Sequence, residues 1–353
     1  MSRHLPLTRP GRPVLRRGID QVQVGVDPER AVVIDHLGDV ASAALLRLDG
    51  VTGRHAVLSA APELEAVLDA LQDRGLLDDD PGPAGGLSAA RRERLGPDLA
   101  GLALTASSTL EAARTLGRRH RATVVVRGND RAAAHVALGL AAAGIGAVVL
   151  EGPDRVTTLA DITPVGPFEP QVSWRGEVAE ALRRQGAHPT AIGRRGTRPA
   201  VVVLCSAADS DLPWTDPELA DDLLGDGLPH LPVAVSGDAA RVGPLVLPGL
   251  TACLWCLDRR SCDADAAWPA LADQLRLRHS RTQAQSGVLA AAAGAFAVAQ
   301  VLQLVDAPDT ATPVCADAQV EFRAPDCLSR VLRVVRHPVC GCGWAGGTVT
   351  MVG

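Results

Sequence analysis

Residues 122–154 read ATVVVRGNDRAAAHVALGLAAAGIGAVVLEGPD, and this stretch decides the fold class. Ala122 to Val126 is a continuous apolar run bounded by Arg121 and Arg127, which is the pattern of a strand buried on both faces. An alanine-rich segment from Ala132 to Ala143 predicts a helix that Gly144 closes, and a second strand follows at Ala147–Leu150. Downstream, a helix near Glu177–Arg184 precedes another apolar strand, Ala200–Cys205. Strands alternating with helices predict a parallel sheet with crossover helices, a doubly wound, Rossmann-like α/β domain.

In such a domain the first strand-to-helix turn is where a nucleotide phosphate sits, against the helix N-terminus. Here that turn reads Arg127-Gly128-Asn129-Asp130-Arg131, with one glycine where close backbone approach to phosphate calls for two or three. Asp130 places a negative charge against any phosphate, and Arg131 can offset it. The next strand ends in Glu151-Gly152-Pro153-Asp154, where an acidic residue would hold ribose hydroxyls. Gly128, Arg131 and Asp154 are therefore the residues of a vestigial nucleotide site, at which ATP is not expected to bind.

Residues 1–80 read as a separate small unit. Val22, Val24 and Val26 alternate with polar residues and glycine as a half-buried strand, and Asp27-Pro28 turns the chain into a second run, Ala31–Ile34. Leu64, Val67, Leu68 and Leu71 recur at helical spacing in a segment that Pro62 opens and Gly75 ends. Short strands followed by short helices predict a winged-helix-like α+β module. DDDPGPAGG, Asp78–Gly86, cannot form a core and reads as a linker. The expected division is residues 1–80, a linker over 81–95, and the α/β domain over 96–353.

Composition narrows the function classes. The chain has 353 residues, of which 47% are apolar, enough for a large core without disulfides. Lysine is absent, so no lysine can serve as phosphate clamp, Schiff base or general base. A net charge of −5 argues against nucleic acid as a partner. The N-terminus is basic but lacks the apolar run of a signal peptide. Val288–Val305 is apolar, yet Gln300 and Gln303 interrupt it, which predicts a buried helix and no membrane partner. The expectation is a soluble, cytoplasmic protein whose eight cysteines are ligands or core residues.

Four of those cysteines fall in two close pairs, Cys253 and Cys256 in C-L-W-C, and Cys340 and Cys342 in C-G-C. Thiolates so grouped suit a tetrahedral zinc ion, and four sulfur ligands leave no open position, so the metal would be structural. His337, three residues before Cys340, is expected to pack beside the site. Cys262 and Cys315 have no neighbouring base in the sequence and read as structural, and His135 reads as a helix-surface residue. Neither G-x-S-x-G nor H-E-x-x-H occurs.

Three stretches carry a family resemblance: VVVRGNDRAAAHVALGLAAAGIGAVVLEGPDRV (124–156), PGLTACLWCLDRR (248–260) and HPVCGCG (337–343). Over about residues 95–345 the chain resembles the ubiquitin-activating superfamily in its bacterial ThiF/MoeB form. That resemblance implies a doubly wound adenylating fold with zinc held by two cysteine pairs. The family's glycine-rich loop maps onto Gly128, Asn129, Asp130, Arg131 and Ala133. Its ribose-binding aspartate falls on Gly152, and its arginine-containing stretch falls on Asp161–Phe168, where no arginine stands. The aspartate expected after Cys205 falls near Ala207 and Ala208, with Asp209 close by. The losses together imply a degenerate, non-adenylating member.

The C-terminal pair is similar to that of ThiF-like partner proteins of azoline-forming peptide biosynthesis. This branch implies an N-terminal PqqD-like module that binds the leader of a ribosomal precursor peptide for a YcaO-type cyclodehydratase, and it implies a homodimer. The leader would add a strand to the sheet of residues 22–26 and 31–35, beside the helix Glu63–Arg74. Val22, Val24, Val33 and Arg74 are the candidate peptide contacts. The alternative is an active ATP-dependent adenylyltransferase that activates the C-terminal carboxylate of a peptide or a ubiquitin-like sulfur carrier, with Arg131 in place of the lysine. A nicotinamide oxidoreductase is disfavoured by the loop and the cysteine pairs.

Overall fold

A computed structural model describes residues 6–8, 12–48, 54–79, 87–163, 166–167, 169–189, 198–206, 217–277, 285–307 and 313–343. The chain divides into two compact units, Met1–Arg118 and Arg119–Gly353.

The first unit holds strands β1 (Pro6–Thr8), β2 (Val14–Arg16), β3 (Val22–Val24) and β4 (Val32–Ile34). Helices α1 (Asp39–Leu45) and α2 (Arg54–Ala60), a 3-10 turn at Pro62–Leu64, α3 (Glu65–Asp73) and β5 (Leu77–Asp79) follow, then α4 (Ala89–Arg94), α5 (Gly96–Ala103) and α6 (Thr109–Arg121). β2, β3 and β4 form an antiparallel sheet with β3 in the centre, and β5 pairs with β1. The register sets Val24 between Val14 and Val32, while Gln23 lies between Leu15 and Val33 on the opposite face. Val22, Val24, Leu45, Leu64, Leu68 and Leu71 form the core, as the helical spacing of the last three requires.

Two boundaries of this unit differ from the sequence reading, each for a local reason. The strand ends at Val24, because Gly25 takes a φ of +82° and turns the chain, so Val26 is exposed. Pro62 starts a 3-10 turn in which the Leu64 N–H reaches the Ala61 carbonyl at 3.1 Å, and the α-helix begins at Glu65. The far end of α3 is as expected. Gly75, at φ +63°, donates to Gln72 O and Leu76 donates to Leu71 O, the paired bonds of a Schellman cap. Residues 80–86 of the expected linker lie outside the described residues.

The second unit is built on a seven-stranded sheet. Its strands are β6 (Thr123–Arg127), β7 (Ala147–Glu151), β10 (Val201–Cys205), β11 (His230–Ser236), β12 (Ala239–Val242), β13 (Ala318–Arg323) and β14 (Leu328–Arg333). The short pair β8 (Ile162–Thr163) and β9 (Gly166–Pro167) stands apart. The helices are α7 (Arg131–Ala142), α8 (Trp174–Arg184), α9 (Pro217–Gly225), α10 (Leu254–Ala264), α11 (Trp268–Leu277) and α12 (Gly287–Asp306). The strand order is β14-β13-β12-β11-β10-β6-β7. β7, β6, β10 and β11 run parallel through helical crossovers, as expected.

The expected parallel sheet is corrected to a mixed one. β11 to β14 pair antiparallel: two residues, Gly237-Asp238, join β11 to β12 and four, Ala324 to Cys327, join β13 to β14, lengths that close hairpins but cannot carry a crossover. The direction of winding reverses between β6 and β10, which makes the carboxyl ends of these two strands the switch point of the sheet.

α7, α8 and α12 cover one face of the sheet over Val124, Val126, Val201, Val203 and Val233, and α9 with the start of α10 covers the other over Val125, Val202 and Leu204. α12 fulfils the expectation of a buried helix at Val288–Val305. It packs so closely on α7 that a Cβ on Gly294 would stand 2.6 Å from the His135 Cβ. Among the described residues it is the helix long and apolar enough to cross a bilayer, and half of its most apolar stretch is buried. His135, expected on a helix surface, instead lies in this seam. Arg119 and Asp306 pin the end of α12 with two hydrogen bonds of 2.8 and 2.6 Å.

Candidate functional site

At the switch point the backbone is held too tightly for side-chain variation. Gly128 has φ +127° and donates to Glu151 O at 3.1 Å, and a Cβ there would lie 2.6 Å from the Cys205 carbonyl oxygen. Gly128→Ala is expected to cost about 2–4 kcal/mol, combining left-handed backbone strain with a backbone clash, as urea denaturation would measure. Asn129 donates its N–H to Ser206 O at 3.3 Å and its side-chain amide to Pro153 O at 2.9 Å, locking the turn between the ends of β10 and β7.

The next residue places a carboxylate at the N-terminus of α7. Asp130 is the N-cap of α7, and its Oδ1 accepts the Ala133 N–H at 2.7 Å. Its Oδ2 accepts the side-chain amide of Gln285 at 2.8 Å, and the carboxylate is 1% exposed. Gln285 in turn accepts the Arg131 N–H on Oε1 at 3.2 Å, and its carbonyl accepts Arg131 Nη1 at 2.8 Å. The orphan N–H groups and positive end of α7 thus face an internal anion. Burial raises the Asp130 carboxyl to about 6, against the opposing hydrogen bonds from Ala133 and Gln285.

The structure brings Gly128 and Arg131 into this turn, with the Arg131 guanidinium directed at the Gln285 carbonyl. Asp154 serves a different helix. Its Oδ2 accepts the Ser173 hydroxyl at 2.6 Å and its Oδ1 accepts the Arg175 N–H at 3.0 Å, at the N-terminus of α8. These bonds, with one from the Arg155 N–H, outweigh partial burial and hold its carboxyl below the ordinary range. Ala207, Ala208 and Asp209 lie outside the described residues, as do residues 164, 165 and 168 of the 161–168 stretch.

Arg155 is the residue that sequence reasoning missed. Its Nε donates to Asn129 O at 2.8 Å, its two Nη groups grip Asp161 at 2.8 and 2.5 Å, and its guanidinium lies 5.7 Å from the centre of the Trp174 ring. It fastens the β7–α8 loop to the β6–α7 turn. The signal was present in Pro153-Asp154-Arg155, but no spacing rule ties an arginine there to an aspartate six residues on.

The four cysteines come together. Cys253 is the N-cap of α10 and Cys256 lies in its first turn. Cys340 and Cys342 lie at a 3-10 turn, Gly341–Gly343. The Sγ separations are 3.7 Å for Cys253–Cys256, 3.6 Å for Cys253–Cys340 and 3.5 Å for Cys256–Cys342, and all four sulfurs lie within 4.8 Å of one another. Sulfurs about 2.3 Å from a tetrahedral ion stand about 3.8 Å apart, so the four sulfurs can hold a metal ion such as zinc. Burial pushes the Cys253 thiol far up, and burial with the Cys256 contact raises Cys342 to about 11. Cys256, against its burial, is instead held below its ordinary value by hydrogen bonds within the cluster and from His337, so the two members of the first pair are pushed in opposite directions. Arg260 ties α10 to the arriving chain through Val335 O at 2.9 Å and Arg336 O at 3.3 Å.

His337 stands beside the cluster, and its Nε2 is 2.9 Å from an Asp263 carboxylate oxygen. Cys315 is fully buried with its thiol raised to about 12 by burial, Cys262 is half-buried on α10, and all eight cysteines are free of disulfides.

In the first unit, Val22 and Val24 are fully enclosed on the central strand, with their side chains in the core. Val33 stands exposed on the edge strand β4, and Arg74 is the exposed C-cap of α3.

The doubly wound sheet with its antiparallel extension defines a class of α/β fold, and comparison with solved structures finds proteins of that fold. No protein-family model and no curated protein sequence matches the chain. The chain is similar to E. coli MccB solved with ATP, at 15% identity and a TM-score of 0.62, over 96% of this chain and 99% of that one. It is similar to the microcin C7 biosynthetic enzyme MccB in complex with N-formylated MccA, at 14% identity, a TM-score of 0.61 and the same coverage. PaaA aligns at 17% identity and a TM-score of 0.62, over 92% of this chain and 99% of that one. The fold is therefore that of MccB and PaaA.

Proposed function

We propose that this chain is a cytoplasmic, ThiF-like partner protein of ribosomal peptide modification. Its first unit is a PqqD-like module that binds the leader of a precursor peptide and presents it to a YcaO-type cyclodehydratase. Its second unit is a homodimeric, zinc-held frame that does not adenylate. The observation that carries the non-adenylating part is Asp130, whose buried carboxylate fills the anion position at α7. The absence of lysine supports the same reading. Peptide binding is supported by the likeness to MccB, which has been solved in complex with N-formylated MccA.

Within the first unit, no described strand pairs with the outer edge of β4, and the row Leu15–Gln23–Val33 offers an outward face of two apolar side chains around one amide. A leader strand added to β4 would lie beside Val33, and Arg74 would meet an acidic leader residue. Val22 and Val24 support that strand from beneath. The test is fluorescence anisotropy with a panel of leader peptides from YcaO-associated precursors. At least one leader is expected to bind, and Val33→Arg is expected to weaken it by about tenfold or more, with the unit still folded by circular dichroism. Equal binding by wild type and variant would remove β4 as the site.

The active adenylyltransferase is kept as a second reading because E. coli MccB has been solved with ATP. It requires the Asp130–Gln285 contact to open.

A further inference from the structure

The end of the sheet farthest from β7 carries a charge arrangement that neither the switch point nor the cysteine cluster uses. Arg241 on β12, Glu321 on β13 and Arg330 on β14 form one cross-strand row, and Arg323 follows Glu321 by two residues on the same face. The Glu321 side chain is 0% exposed and accepts from all three arginines. Arg241 Nε reaches Oε2 at 2.8 Å, while Arg323 Nε at 2.8 Å and Arg330 Nη2 at 2.7 Å share Oε1. Asp238 takes Nη1 of Arg323 at 3.1 Å.

Two carboxylates face three guanidinium groups, so the patch keeps a net positive charge. The arginine side chains are 45%, 43% and 57% exposed for Arg241, Arg323 and Arg330. Among the described residues, both Nη groups of Arg241, Nη2 of Arg323 and Nη1 of Arg330 have no partner. Enclosing Glu321 therefore fixes the forks in place and leaves their outer N–H groups pointing to solvent. Such fixed, planar donors match carboxylates in bidentate geometry.

The same patch borders an open sheet edge. β14 ends the sheet, and no described strand pairs with its outer side. Its side chains alternate between Leu328, Arg330 and Leu332 on the arginine face and Ser329, Val331 and Arg333 on the other, with Leu328 73% and Val331 62% exposed. An exposed edge of this kind is a template for another strand.

We propose that β14 and the trio Arg241, Arg323 and Arg330 form a docking site for an extended acidic segment of a partner protein. That segment adds to the edge of β14, turns alternate carboxylates toward Arg330 and Arg323, and turns its intervening apolar residues toward Val331. A nucleic acid lacks the alternating N–H and C=O ladder that pairs with a strand edge, and the net charge of −5 repels it from the rest of the surface. The inference concerns the second unit alone and does not depend on leader binding by the first.

The test uses the full chain and a fluorescein-labelled peptide of alternating Glu and Val. Its companions are a block isomer of the same composition, a version with Gln for Glu, and an oligothymidylate of equal charge. The alternating acidic peptide is expected to bind saturably and to weaken as salt rises. It is expected to bind at least about fivefold more tightly than the block isomer, because strand addition requires period-two alternation. Arg330→Gln and Arg323→Gln, each of which leaves two arginines on Glu321, are expected to weaken it about fivefold to tenfold with the fold retained by circular dichroism. Equal binding of the Gln version or the block isomer would overturn the proposal, as would insensitivity to both arginine variants. Oligothymidylate binding as tight and as arginine-dependent as the peptide would overturn it in favour of a general polyanion patch.

Discussion

Cys253→Ser is expected to strip the metal from the protein and to lower the melting temperature of the second unit by about 10 °C or more. Cys253 is fully buried, caps α10, and contacts both Cys256 and Cys340 through sulfur. A structural zinc bound by thiolates contributes about 10–16 kcal/mol of binding free energy in small domains, comparable with the 5–15 kcal/mol of net stability that a whole domain has. Even a third of that, at about 2–4 °C per kcal/mol for a unit of this size, gives the stated shift. The cluster also ties Cys340 and Cys342 to the core of Val202, Leu204, Leu223 and Val246, so the loss should reach α9 and the C-terminal segment first. Metal analysis of the purified protein is expected to give about one zinc per chain, falling to none in the variant. A metal-free wild type that melts at the same temperature as the variant would contradict the assignment.

The second large effect is expected at Asp130 and is a gain of stability. A carboxyl held at about 6 in the folded state and 3.8 unfolded is favoured in its protonated form by roughly 3 kcal/mol. Because the folded state binds the extra proton, its stabilising contribution is present below about pH 4 and is lost as pH rises through about 6. Asp130→Asn keeps a side-chain oxygen for the Ala133 N–H but carries no charge to desolvate. Its amide does meet the Gln285 amide, which takes back part of the gain. The variant is expected to be more stable than wild type by about 1–3 kcal/mol at pH 7, with the two curves converging near pH 4. Urea denaturation across that range checks it. A variant that is less stable at pH 7 and equally less stable at pH 4 would show that Asp130 is not a buried charge under strain.

These two sites differ in how far the sequence disclosed them. The cysteine pairs were legible because four sulfur ligands at close spacing serve few other purposes, and the fold brings all four within 4.8 Å. The β6-α7-β7 unit was legible because buried strands and a helix with a glycine stop leave few alternatives. Asp130 was legible as a charge at the first strand-to-helix turn, but Gln285 was not, since it is 155 residues away and lies in no motif. The antiparallel half of the sheet was hidden for a similar reason. β12, β13 and β14 carry Arg241, Glu321, Arg323 and Arg330 where a buried strand would carry aliphatics, so hydrophobic runs do not mark them. In the first unit, the helix α3 was visible in its leucine spacing. The role of Val22 and Val24 as core depended on β3 being the central strand, which pairing partners fix and composition does not.

The central claim of the proposed function is that the buried Asp130 carboxylate at the N-terminus of α7 keeps the chain from binding and using ATP. Its most direct test is ATP-dependent pyrophosphate exchange, with calorimetric titration of Mg-ATP, on the zinc-loaded full chain. The account predicts no saturable heat and no exchange, with or without acceptor peptides. Binding in the micromolar range together with acceptor-dependent exchange that Arg131→Ala abolishes would contradict it.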